Sequence, residues 1–165
     1  MIVQLGQLLV QAGVMSQDQI EAALLEQARS GEPLGLICER RFSVAPDVIE
    51  NAWADQYAQL TRTVDPATEY VDFETLELVS RRQAWQFGLI PMRFDGTELV
   101  LVTTQANLRR ALRFANNILG VPAYFVLADP EALGQALARH YPITGLKADD
   151  LGDSAPSRRF IDARR

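Results

Sequence analysis

Residues 4–27 read QLGQLLVQAGVMSQDQIEAALLEQ, and residues 33–56 read PLGLICERRFSVAPDVIENAWADQ. The two stretches have equal length and align without a gap, with five residues, 28–32, between them. Leu5-Gly6 stands over Leu34-Gly35, Leu8 over Ile37, Met15 over Val44, Ile20 over Ile49, Ala23 over Ala52 and Gln27 over Gln56. Self-similarity of this kind predicts two copies of one supersecondary unit, neither able to bury its apolar face alone.

Each copy predicts a short helix, a turn and a longer helix. In the first, Leu5, Leu8, Leu9 and Ala12 recur at helical spacing. Gly13 suits the left-handed position after a helix, and Ser16 suits the N-cap of the next, with Asp18 in its first turn. Ile20, Ala23, Leu24 and Gln27 then share one face. In the second copy Phe42 stands where the first has glycine, Ser43 is the candidate cap, and Pro46 and Asp47 suit a first turn. Val48, Ile49, Ala52, Trp53 and Gln56 carry the helix face. The two pairs are expected to pack as four short helices with pseudo-twofold symmetry over residues 1–58.

The remainder predicts a different architecture. Residues 60–72 read as a connector, with a short strand at 69–73. Residues 76–87 read as one helix closed by Gly88. The clearest local signal is Asp95-Gly96 between the apolar, β-branched runs 89–94 and 97–103, which predicts a β-hairpin. A helix over 107–119, a strand over 121–128, and a helix from Pro130 to about residue 141, capped by Asp129, complete an α+β sandwich over 66–143. The three-stranded sheet is covered by helices. Residues 144–165 are polar and rich in Asp, Gly, Ser, Pro and Arg, and are expected to form a disordered tail or linker.

The paired motif resembles the repeat of the MshEN domain, the N-terminal domain of type II secretion and type IV pilus assembly ATPases, which also occurs fused to other proteins such as glycosyltransferases. That motif runs Arg-Leu-Gly, two variable residues, an aliphatic pair, usually a glycine, more aliphatics, a Ser or Thr cap and a closing Leu-x-x-Gln. Residues 88–104 (GLIPMRFDGTELVLVTT) and 126–141 (VLADPEALGQALARHY) resemble the same family. The resemblance covers residues 3–142. It implies binding of cyclic di-GMP, one half of the ligand per repeat. The implied ligand positions are Gln4, Leu5, Gly6, Leu9, Leu24 and Gln27 in the first repeat, and Pro33, Leu34, Gly35, Cys38, Trp53 and Gln56 in the second. Arg40 is a further candidate, against the phosphates. The chain departs from the motif at its first Arg, which is Gln4 in one repeat and Pro33 in the other. An Arg contacts guanine O6 and N7 in a bidentate fork, so each loss is expected to weaken binding by about 1–3 kcal/mol. Cys38 and Trp53 replace the usual leucines.

Several residues have plainer readings. Leu-Gly at each helix start suits close helix packing, and Gln27 and Gln56 are ordinary surface residues in many helices. Arg40-Arg41 fits a solvated helix end favourable to the dipole. Cys38 reads as a small core hydrophobe, Trp53 and Trp85 as core or interface anchors, and His140 as structural.

Composition narrows the function. The net charge is −5, the pI is about 4.9, and Lys147 is the only lysine, which argues against a nucleic-acid polymer or a polybasic membrane contact. Residues 1–58 hold eight acidic side chains against three arginines, so a dianionic ligand depends on backbone N–H groups near Gly6 and Gly35. One Cys and one His make a zinc site improbable. There is no GxxxxGK[ST], HExxH or G-x-S-x-G motif, hence no ATPase motor and no evident catalytic machinery. The start of the chain lacks a signal peptide and no run is long enough to span a bilayer, which predicts a cytoplasmic chain, recruited to the membrane's inner face by a partner. The sequence therefore predicts a non-enzymatic regulatory domain that binds cyclic di-GMP and controls a secretion, pilus or polysaccharide-export machine. The alternative is a degenerate copy that only docks a protein.

Overall fold

The computed structural model describes the backbone of residues 4–152 and the side chains of all of these but 55, 56, 58–60, 151 and 152. The first half holds α1 (Leu5–Gln11), α2 (Gln17–Ser30), α3 (Leu34–Phe42) and α4 (Pro46–Leu60). The second holds α5 (Arg81–Phe87), β1 (Leu89–Asp95), β2 (Glu98–Thr103), α6 (Leu108–Asn117), β3 (Ala123–Leu127) and α7 (Pro130–His140). The fold is α+β, with tandem helix pairs followed by a small three-stranded sheet.

The helix pairs exchange partners across the repeat. α1 packs on α4, and α2 packs on α3. Inside this bundle the Trp53 indole N–H donates to the Leu5 carbonyl at 2.9 Å, tying the long helix of the second repeat to the start of the first. Ser16 caps α2 in a capping box with Gln19. α1 ends in a Schellman turn: Val14 N–H bonds Leu9 O and Gly13 N–H bonds Val10 O, with Gly13 at φ +73°.

The second repeat corrects one expectation. Ser43 does not cap α4; it is the left-handed residue that closes α3, at φ +57°, and Ala45 is the N-cap of α4 without a side-chain bond. Phe42 occupies the place of Gly13. A bulky side chain resists the left-handed conformation, so the helix runs one residue further and the turn falls on serine.

The sheet has the order β1-β2-β3, with β1 and β2 antiparallel around Asp95-Gly96 and β2 parallel to β3 through α6. Both edges are protected, as exposed ladders invite mispairing. On one side the connector pairs with β3, through Val64 N–H to Leu127 O at 2.7 Å and Leu127 N–H to Arg62 O at 3.0 Å. On the other, β1 bulges between Pro91 and Arg93. Asp72 N–H (2.7 Å) and the Thr75 hydroxyl (3.0 Å) both donate to the Met92 carbonyl there.

Two further expectations change. Residues 69–73 form no strand, because Asp72 turns the chain: its carboxylate accepts from Glu74 N–H and its carbonyl from Thr75 N–H. Residues 76–87 are not one helix. A 3-10 turn spans Thr75–Leu78, and Ser80 then starts α5 with its own capping box to Gln83. Beyond residue 144, where a disordered tail is expected, a 3-10 turn at Ala148–Gly152 packs on α7, close enough that a Cβ at Gly134 would stand 2.2 Å from Ala148 O. Residues 153–165 lie outside the described residues.

The two halves share one core. α3 and α4 both pack on α6. Arg113 forms a two-pronged ion pair with Glu50, both bonds at 3.2 Å, and Asn116 donates to Pro46 O at 3.1 Å. The buried Tyr57 hydroxyl donates to Phe125 O at 2.8 Å and accepts from Phe125 N–H.

Gly35 is the tightest of these contacts. A Cβ there would lie 1.8 Å from Asn116 Oδ1 and 2.5 Å from its backbone carbonyl, which has no freedom to retreat. At Gly6 a Cβ would meet only Ile20 Cγ2 at 3.0 Å and Leu24 Cδ1 at 3.5 Å. Gly35→Ala should therefore cost at least the roughly 1–3 kcal/mol typical of overpacking, and Gly6→Ala clearly less. Urea denaturation of the two variants checks this order.

Candidate functional site

The first repeat, the second repeat and the sheet meet around one pocket. Gln4, Leu5 and Gly6 supply one wall from the start of α1, and Ile20, Leu24 and Gln27 a second from α2. Leu34 and Trp53 come from the second repeat. Glu98 of β2 and the turn 121–123 close the far side. The enclosed space is about 90 Å3, and with its mouth the atom-free space reaches about 610 Å3. Ligand pockets commonly measure ~300–1,000 Å3, so the cavity proper is small and most of the space lies in its open mouth. Gln7, Gln17 and Glu21 stand around that mouth.

Gln27 is the unusual group. Its side chain is 1% exposed, and neither its Nε2 nor its Oε1 has a hydrogen-bond partner. An unpaired buried polar group costs about 1–3 kcal/mol, and native interiors rarely carry one without reason. The plain surface reading of Gln27 does not hold: the residue faces inward on the helix side it shares with Ile20 and Ala23. Glu98 stands across the same pocket. Its Oε1 accepts from the Gln4 amide at 2.6 Å. Burial, and secondarily the neighbouring Asp95 carboxylate, raise the Glu98 carboxyl above its ordinary range, while the Gln4 donor acts the other way.

Of the residues proposed from sequence, Gln4, Leu5, Gly6, Leu24, Gln27, Leu34 and Trp53 line this pocket. Leu9 and Cys38 do not. Both are fully buried in the core, and burial pushes the Cys38 thiol up to about 11, the behaviour of an inert core residue. Gly35 is also excluded from ligand contact in this structure, since Asn116 fills its corner. Arg40 is spoken for: it pairs with Glu26 and with Glu32, and Arg41 pairs with Glu26 at 2.9 Å. These exposed ion pairs, Arg40 foremost, hold the Glu26 carboxyl below its ordinary range. They sit on a separate, shallow part of the surface. The side chain of Gln56 lies outside the described residues. Glu98 and the 121–123 turn were not legible from the motif, because they reach the pocket only through the tertiary fold, Glu98 by its bond to Gln4 just ahead of α1.

The MshEN domain family matches residues 58–145, more than half of the sequence. The chain belongs to the MshEN family. The type IV pilus assembly ATPase PilB of Thermus thermophilus is 30% identical over 142 residues, 84% of this chain. That stretch is longer than residues 59–165, so it takes in part of the repeats as well. The chain spans only 15% of the length of PilB. A solved structure, "Structure of MshE with cdg", is 24% identical and covers 84% of this chain and 99% of its own, with a TM-score of 0.42, too loose a likeness to carry geometry across. Among the described residues of this MshEN chain, no helix is long and apolar enough to cross a membrane, and no cluster of His, Cys, Asp or Glu is placed to hold a metal ion.

The unpaired Gln27 amide makes a prediction about stability. Methionine has nearly the same shape and no polar atoms to leave unpaired. Gln27→Met should leave the ligand-free protein as stable as the parent or more stable, by up to about 1–3 kcal/mol. Thermal or urea unfolding measures it, and a marked loss would mean the amide is already satisfied.

Proposed function

We propose that this MshEN chain is a regulatory domain that binds cyclic di-GMP through its first repeat. One observation carries the reading: the Gln27 amide is buried and unpartnered on the wall of the pocket where the motif residues converge. A primary amide presents a donor and an acceptor side by side, and so does a guanine edge. Apolar contact from Leu5, Leu24, Leu34 and Trp53 suits the face of the base. Among the described residues no arginine or lysine lines the pocket, so the phosphates belong outside it, in the mouth near the start of α1.

The second repeat is not built as an equal half-site. With Asn116 against Gly35 and Pro33 in place of the motif arginine, it offers Leu34 and Trp53 as walls rather than a second base cradle. Binding should accordingly be weaker than in a chain with both arginines, by about ten- to a hundredfold for each bidentate contact absent. Ligand bridging α1, α2 and β2 would stiffen the junction of the two halves and so bias a partner's contacts. By the likeness to PilB, that partner belongs to a pilus, secretion or polysaccharide-export machine working at the cytoplasmic side of the membrane. The filled Gly35 corner equally favours a second reading, a domain that docks its machine without nucleotide.

Isothermal calorimetry separates the two. The first reading expects saturable heat with cyclic di-GMP in the micromolar range, lost in Gln27→Met although that variant is folded. The docking reading expects no heat at high micromolar ligand, and retained capture of the cognate machine component in its absence.

A further inference from the structure

One pocket residue lies outside the repeat motif altogether. Glu98 lies on β2, ninety-four positions from its partner Gln4, and puts a carboxylate into the same pocket as Gln27. Its Oε1 accepts from the Gln4 amide, and among the described residues no group donates to its Oε2. Glu98 is part-buried, and a ligand that displaces water from that oxygen must replace it with a donor rather than an acceptor. Among the described residues no Lys or Arg lines this pocket to provide one. The donor must come from what enters.

Among the purines, that requirement discriminates. The Watson–Crick edge of guanine carries N1–H and a 2-amino group, two adjacent donors, one for the free Oε2 and one for Oε1, whose second lone pair remains beside the bond from Gln4. Adenine offers an unprotonated N1, an acceptor, and no 2-amino group, so its N1 lone pair would face the carboxylate. Hypoxanthine keeps N1–H and lacks the 2-amino group.

We propose that Glu98, positioned by Gln4, is the specificity-determining residue of this pocket, reading the N1–H and 2-amino donors of a guanine base. The proposal rests on the cyclic di-GMP reading above and deepens it. It also gives Gln4 a purpose other than the one its motif position implies. In place of a cationic fork aimed at guanine O6 and N7, Gln4 holds an anionic reader aimed at the opposite edge of the base. A site of this design rejects a ligand lacking the donors, because the carboxylate oxygen facing it then loses water and gains no donor.

The test is calorimetry on the full chain with cyclic di-GMP, its inosine analogue and cyclic di-AMP, for the parent and for Glu98→Gln. Glutamine keeps the acceptor for Gln4 and the shape of the strand, and loses the charge and one acceptor. The parent should bind cyclic di-GMP at least thirtyfold more tightly than cyclic di-AMP, with the inosine analogue between. Glu98→Gln should weaken cyclic di-GMP at least tenfold, leave cyclic di-AMP unchanged or tighter, and melt as the parent does. Because loss of fold would weaken every ligand alike, the change in preference between ligands is the readout. If Glu98→Gln binds cyclic di-GMP like the parent while Gln27→Met does not, the Glu98 assignment is overturned and the cyclic di-GMP reading stands. If the parent binds none of the three, both fall.

Discussion

The hydrogen bond from the Trp53 indole to the Leu5 carbonyl sits where the geometry of the molecule is decided. It lies in a region closed to water, at 2.9 Å, and joins the second repeat's long helix to the first turn of α1. An indole N–H buried without a partner would be costly, so this bond fixes how far α4 can slide along α1. α4 in turn packs on α6, the crossover between β2 and β3. The pocket walls are thereby set against each other: Leu5 and Gly6 on one side, Glu98 and residues 121–123 on the other.

The two repeats share a sequence plan and have diverged in what their glycines do. Gly6 lets α1 approach α2 of its own repeat and leaves a pocket beside it. Gly35 lets α3 approach α6, and the space is filled by Asn116. The difference follows from position in the bundle. The second repeat is the one that docks on the α+β half, through Glu50–Arg113 and Asn116–Pro46, so its glycine serves that interface. A duplicated unit placed in two environments thus retains one candidate site rather than two.

How much of this was legible in the sequence depends on the range of the interaction. The repeats, the Ser16 cap, the Asp95-Gly96 hairpin and the α6 and α7 helices all announce themselves within a few residues. The capping box at Ser80 was written equally locally, as Ser-x-x-Gln, but the spacing of Leu76, Val79, Gln83 and Phe87 suggested one continuous helix over it. The strand expected at 69–73 is overridden by the Asp72 turn. Of the motif positions, Gln4, Leu5, Gly6, Leu24 and Gln27 come together on one pocket. The motif failed for Leu9, Cys38 and Gly35, which the same periodicity directs into the core, and for Arg40, captured by Glu26 and Glu32. Glu98 carries no local mark at all. Only the long-range bond from Gln4 ties it to the pocket.

The central claim is that the Gln27 side-chain amide waits unpaired for a base at the junction of the two halves. Nuclear magnetic resonance observes that group directly, as the pair of side-chain NH2 signals absent from Gln27→Met. During titration with cyclic di-GMP those two signals should move and their exchange with solvent should slow, while the backbone amide of Gly35 stays where it is. Gln27 signals that remain fixed at saturating ligand would contradict the account.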